Sequence, residues 1–206
     1  MPAPRFAPAA YERAMAPLER WGVARQRHLT LRPARGRLLD VGARTGLNVA
    51  HYPPGVSAVA AEPDAGARRL LGARAEGAPV PVRVVAAGAP GLPFRDGSFD
   101  TVACTFLLCR VADPAAAIAD VRRVLHADGE LLFLEHIVGR RRATAAVQRA
   151  VAPAWSAAGG CHVDRDTIAE LRAGGFVISD CERLAPVGRL SAGTVVRGRA
   201  IKRSGG

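Results

Sequence analysis

Lysine is almost missing from this chain. Lys202 is the only one, so the net charge of +11 rests on arginine. Aromatic residues are also scarce, at 5%. They do not alternate with the arginines, which removes the stacking platform a single-strand nucleic-acid binder needs. The arginines are scattered, with Arg140-Arg141-Arg142 the densest cluster, and no nucleic-acid partner is expected. No apolar run approaches the ~18 residues of a membrane span. Residues 1–13 contain Arg5, Glu12 and three prolines, and lack the apolar stretch of a secretory signal. The four cysteines, Cys104, Cys109, Cys161 and Cys181, include no C-x-x-C pair. Adjacent Cys161 and His162 do not have metal-ligand spacing either, so no metal is expected. Reduced, mostly buried thiols and a cytoplasmic location are expected instead.

With 206 residues, 49% of them hydrophobic, there is material for one domain with a substantial core. Tyr11, Met15, Leu18 and Trp21 recur at three- and four-residue steps and predict a helix over 9–28. Strands are predicted at 37–41, 56–61, 80–86, 99–104, 130–135, 176–182 and 194–201. Helices are predicted at 45–51, 65–75, 114–125 and 164–173, the last capped by Asp164 and stopped by Gly174-Gly175. Such alternation predicts an α/β fold, a mostly parallel sheet with helices on both faces. Ligands of such sheets bind beyond the carboxyl ends of the strands.

The loop after the first strand reads D-x-G-x-x-x-G-x-N: Asp40, Gly42, Gly46, Asn48. Against the dinucleotide fingerprint G-x-G-x-x-G it fails at two of three glycines, which argues against a nicotinamide or flavin. Arg44 stands where a glycine would be usual. Glu62 ends the second strand, where a carboxylate can accept both hydroxyls of a ribose.

Residues 92–136, LPFRDGSFDTVACTFLLCRVADPAAAIADVRRVLHADGELLFLEH, together with that loop and Glu62, resemble the S-adenosylmethionine-dependent methyltransferases with a Rossmann-like core. The resemblance covers roughly 37–138. It implies a seven-stranded Rossmann-like sheet, a helical cap over 1–36, and lid and closing strands over 139–206. A narrower resemblance, to the thiol S-methyltransferase branch, rests on residues 48–64, 84–94, 104–111 and 135–137. It also includes APAWSAAGGCHVDRDTIAELRAGGF at 152–176. Gly88, where quinone-pathway C-methyltransferases usually carry an acid, favours the thiol branch.

The resemblance implies that S-adenosylmethionine is the cofactor. Asp40, Gly42, Gly46 and Asn48 would line its methionine half, and Glu62 would hold its ribose. Pro63 and Asp64 would shape the adenine slot, and Ala87-Gly88-Ala89 would meet the adenine edge. Cys104, Thr105, Phe106 and Leu107 would lie beneath the sulfonium. Arg44 is expected to stay out of the left-handed backbone region, with its guanidinium turned outward or paired with the methionine carboxylate. A thiol with a reference pKa of about 8.5 needs only modest help to ionise. His136 is the expected base, His162 an expected substrate contact, and Trp155 a candidate wall of the acceptor pocket. The expected activity is methyl transfer to a small-molecule thiol by a monomer or homodimer. The alternatives are O-, N- or C-methylation of a small metabolite, or a cofactor-binding homologue without activity.

Overall fold

A computed structural model describes residues 8–157, 161–184 and 194–203. Its strands β1 (Arg37–Val41), β2 (Ser57–Ala61), β3 (Val82–Val85), β4 (Phe99–Thr105), β5 (Leu125–Ile137), β6 (Phe176–Leu184) and β7 (Thr194–Lys202) form one sheet. The order is β3-β2-β1-β4-β5-β7-β6. The first five strands run parallel, and β7 is antiparallel to both β5 and β6. Four of the five residues of β1 and of β2 are fully covered, as parallel strands flanked by helices require. The larger core cluster is built around Leu39, Val102, Leu131 and Phe133. A second cluster packs Leu31, Leu38, Tyr52 and Leu71 against Ala103 and Leu132.

The remaining elements are α1 (Pro8–Leu18), α2 (Ala24–Leu31), α3 (Ala65–Glu76), α4 (Pro114–Val124), α5 (Arg142–Ala157) and α6 (Thr167–Ala173). Where one helix was expected over 9–28, a wider π-helical turn at Glu19–Val23 separates α1 from α2, and Gly22 breaks it at φ +132°. Trp21 is exposed there rather than packed in a core, and the side chain of Tyr11 lies outside the described residues. The expected helix over 45–51 is a series of turns ending in a short 3-10 segment, Val49–His51. Gly46, at φ +87°, cannot continue a right-handed helix, and the Asn48 side chain is drawn into a buried network. α3 is capped by Asp64, which accepts from the Ala67 N–H at 2.8 Å. α6 begins at Thr167, three residues later than expected, and its cap is Asp166 and not Asp164. The Arg165 guanidinium donates to the carbonyls of Leu108 and Val111, holding the preceding turn against the sheet. α5 is a helix that apolar spacing did not reveal. Its Val147, Val151 and Trp155 face outward, and Ala145, Gln148 and Ala152 face in. Trp155 is thus exposed and is not among the residues lining the cleft at the carboxyl ends of the strands, and residues 158–160 of the same stretch lie outside the described residues. No described helix is long and apolar enough to cross a membrane.

Candidate active site

The strand order reverses between β1 and β4, and a cleft of about 210 Å³ opens at the carboxyl ends there. Of the residues named from the sequence, Gly42, Arg44, Glu62, Pro63, Asp64, Gly88, Ala89 and Leu107 line it. Phe106, within the expected 104–107 stretch, joins them, and Pro8, Ala67, Arg110 and Val111 complete the wall without having been anticipated.

Gly42 turns the chain directly off β1 at φ +70°, its N–H donating to the Ala61 carbonyl. A Cβ at this position would meet Leu107 Cδ1 at 2.7 Å, so a side chain would close the gap between the β1 and β4 loops. Gly88 is constrained differently: a Cβ there would press on Pro63 Cγ at 3.1 Å. Glu62 follows β2 and is 4% exposed. Its Oε2 accepts from the Arg44 N–H at 2.9 Å and its Oε1 from the Asp64 N–H at 2.8 Å. Each oxygen keeps capacity for a further donor. A buried carboxylate on a cleft wall with acceptor capacity left over fits a ribose diol.

Arg44 departs from expectation. Its backbone is left-handed, φ +50°, the conformation a glycine would take freely and an arginine holds under strain. The Arg44 N–H bond to Glu62 is what fixes it there. Its side chain is half-buried along the cleft and is not turned out to solvent. Phe106 is the other non-glycine residue with positive φ, at +52°. Strain of this kind gathers at functional sites.

Asp40, Gly46 and Asn48, expected along the methionine half, and Cys104, expected beneath the sulfonium, are buried and do not line the cleft. Cys104 belongs to the core, and burial raises its thiol pKa well above the ordinary value. Ala87 is likewise buried, leaving Gly88 and Ala89 to line the cleft. Asp40 accepts from Asn48 Nδ2 at 3.0 and 3.1 Å and from the Tyr52 hydroxyl at 2.7 Å. Asn48 Nδ2 also donates to Thr105 Oγ1, and Asn48 Oδ1 accepts from Arg27 Nη1 at 2.9 Å. Arg27, on α2, was one scattered arginine among many in the sequence. In the fold it is 3% exposed, pairs with Glu19 at 3.0 Å and lies over the Phe106 ring. With Gly42, Arg44, Thr105 and Phe106 it lines a small recess beside the main cleft.

Burial pushes the Asp40 carboxyl up to about 6, against the opposing hydrogen bonds of Tyr52 and Asn48 and the charge of Arg27. Its folded pKa thus lies above its unfolded one. The stability this group contributes is complete below pH ~4 and is lost as pH rises through about 6. Two pH units correspond to about 3 kcal/mol. In urea unfolding across a pH series, Asp40→Asn should therefore gain about 2–3 kcal/mol relative to the wild type between pH 4 and pH 7. A difference that stays flat with pH would mean that Asp40 titrates as an ordinary surface carboxylate.

Neither histidine lines the cleft. His136, near the end of β5, stacks on Phe106 with ring centroids 4.9 Å apart and puts Nδ1 3.7 Å from Cys109 Sγ. Its neighbours are thus protein thiols rather than space for an acceptor. A hydrogen bond from Cys109 draws the Cys161 thiol well below its ordinary value, and His136 adds to the effect. Burial opposes the charged form of His136, but Cys161 raises its pKa overall. His162 donates its backbone N–H to the Cys109 carbonyl at 2.7 Å. Cys161 thus meets His136 across the fold and not its neighbour His162, a juxtaposition that local spacing does not disclose.

Residues 39–133 match the family model described as a methyltransferase domain. The chain is 34% identical over 171 residues to the human thiol S-methyltransferase TMT1B, covering 80% of this chain and 70% of that one. The Rattus norvegicus TMT1B is 32% identical over the same length and coverage. Among solved structures, an S-adenosylmethionine-dependent methyltransferase from Thermotoga maritima, described as a possible histamine N-methyltransferase, superposes with a TM-score of 0.68. It is 21% identical and 94% of each chain is covered, a likeness of fold.

Proposed function

Since the chain belongs to the S-adenosylmethionine-dependent methyltransferases, we propose that the atom it methylates is the sulfur of a small thiol. The observation that carries this reading is the chemistry of the cleft wall beyond Glu62 and Asp64. Phe106, Leu107 and Val111 make that end apolar, and Arg110 supplies a positive charge. Among the described residues of that end, none is a carboxylate or histidine able to act as a base. A carbon acceptor, or an amine that arrives protonated, must lose a proton before it can attack, and a placed base assists that step. A thiol, half-ionised near pH 8.5, needs only an environment that favours its anion, which a guanidinium provides. The two relatives named as thiol S-methyltransferases, similar over most of the chain, point the same way.

S-adenosylmethionine supplies an electrophilic methyl group on a sulfonium. Transfer to a thiol would exchange one carbon–sulfur bond for another, leave a neutral thioether and release the thiol proton to solvent. What remains for the protein is alignment and exclusion of water, which alone are worth several powers of ten in rate. Glu62 would hold the ribose, the Gly42 turn would let the cofactor approach the backbone, and Arg44 on the wall of the same cleft would meet the amino-acid end.

The test is a panel of small thiols, phenols and amines, with methylated products detected by mass. Thiols should turn over faster than any phenol or amine. With subsaturating acceptor, the rate should rise toward each thiol's own pKa, so that a more acidic thiol reaches its plateau at lower pH. A phenol or amine methylated faster than every thiol would overturn the assignment while leaving the methyltransferase family intact.

A further inference from the structure

Outside the cleft, three side chains from separate elements converge. Cys109 lies in the loop after β4, His136 on β5, and Cys161 in the connection between α5 and α6. Their donor atoms all lie within 4.8 Å of one another, Cys109 Sγ and His136 Nδ1 at 3.7 Å. Around a tetrahedral zinc ion, with Zn–S about 2.3 Å and Zn–N about 2.0 Å, the corresponding ligand separations are about 3.6–3.8 Å. A contraction of about 1 Å at the longest edge would close the three on one ion. We propose that Cys109, His136 and Cys161 form a binding site for a thiophilic divalent cation, zinc by the chemistry of its donors.

Two sulfurs and an imidazole are soft ligands that select against magnesium and calcium, which take oxygen. Both cysteines are buried, and Ala152, Val163 and Phe106 pack around them as an apolar shell. The backbone carrying each donor is fixed. The buried Glu135 carboxylate accepts from the N–H groups of Leu107, Leu108 and Cys109 at 2.9, 2.9 and 3.1 Å, which sets the Cys109 loop. The His162 N–H to the Cys109 carbonyl and the Arg165 guanidinium to Leu108 and Val111 hold the Cys161 segment against that loop. Ligands held this way by outer partners are the ordinary condition of a metal site. Among the described residues no further cysteine, histidine or carboxylate joins the group. Three protein ligands leave a fourth position to a small ligand, as in zinc sites that are not purely structural. The Phe106 ring both stacks on His136 and lines the cleft, so it links this position to the candidate active site. A bound ion would also tie β4, β5 and the α5–α6 connection to one another at the rim of the active site.

The experiment uses the full chain, reduced and stripped of metal, titrated with zinc chloride in competition with a chromophoric chelator. One zinc per chain should bind. Cys109→Ser, Cys161→Ser and His136→Ala should each lower the affinity by at least the ~100-fold that loss of an outer partner can cost. Cys181→Ser, which alters an exposed thiol, should bind as the wild type does. Cobalt in place of zinc should give sulfur-to-cobalt charge-transfer bands and the intense visible bands of a tetrahedral site. Zinc should raise the melting temperature of the wild type and not that of Cys161→Ser. Circular dichroism and binding of S-adenosylhomocysteine report whether each variant is folded. Should a variant fail to fold, the cobalt spectrum and zinc stoichiometry of the wild type decide alone. The proposal falls if zinc binds the wild type no more tightly than folded Cys161→Ser, or if the cobalt spectrum lacks sulfur charge transfer. It falls equally if the reduced protein takes up no metal and air oxidation merely joins Cys109 to Cys161. None of these outcomes depends on which acceptor is methylated.

Discussion

Replacing Glu62 with alanine should weaken S-adenosylhomocysteine binding about a hundredfold, measured by calorimetry. The carboxylate is buried on the cleft wall, and each oxygen already accepts one backbone N–H, from Arg44 and from Asp64. Its remaining capacity is open to the cleft, where the proposed ribose would bind. Hydrogen bonds to a charged acceptor contribute about 1.5–3 kcal/mol each, and a loss on the order of 3 kcal/mol is roughly a hundredfold in affinity. The substitution does second damage. It leaves the N–H groups of Arg44 and Asp64 without their acceptor, and the left-handed turn at Arg44 loses the bond that holds it. Glu62→Gln keeps a carbonyl for one of these groups and loses the charge, so it should bind with intermediate affinity. An unchanged dissociation constant in folded Glu62→Ala would remove Glu62 from the cofactor site.

How this site was legible in the sequence differs from residue to residue. Strands β1, β2 and β4 announce themselves, because parallel strands covered on both faces are short apolar runs, and their ends locate Gly42, Glu62 and Leu107. The motif spacing behind the family resemblance lies along these same runs. The stretch 45–51 reads as a helix by composition, but its conformation is set by Gly46 and by what Asn48 bonds to, and besides Asp40 those partners, Arg27 and Thr105, are far away in sequence. The cap of α6 falls on Asp166 for a comparable reason, since the carbonyls that hold Arg165 are more than fifty residues distant. α5 was hidden because its outward face carries the apolar residues, inverting the usual pattern. Arg27 and the Cys109–His136–Cys161 group have no local signature. Side chains brought together by the order of strands in a sheet share a place in space and no spacing along the chain.

Arg27→Leu should destabilise the protein by about 3–5 kcal/mol in urea unfolding, the cost of removing one partner from a buried ion pair. The guanidinium reaches Glu19 with Nε and Asn48 and Thr105 with Nη1, and it lies over Phe106. Leucine fills much of the volume but leaves the Glu19 carboxylate, 14% exposed, without its cation, and Asn48 Oδ1 without a donor. The effect extends further, because Arg27 is also the charge that helps keep the Asp40 carboxyl from rising higher. Without it the native state holds the Asp40 proton still more tightly. The loss in stability should therefore be smaller at pH 5 than at pH 8. Arg27→Lys retains a charge but has no planar fork to bond Glu19 and Asn48 together, and should fall between leucine and the wild type. Cofactor affinity, measured where the variant is still folded, should fall as well, since Arg27 lines the recess beside Arg44. If Arg27→Leu unfolds like the wild type and binds the cofactor as tightly, the network beneath the glycine loop is passive packing. The loop would then owe its shape to Gly42 and Gly46 alone.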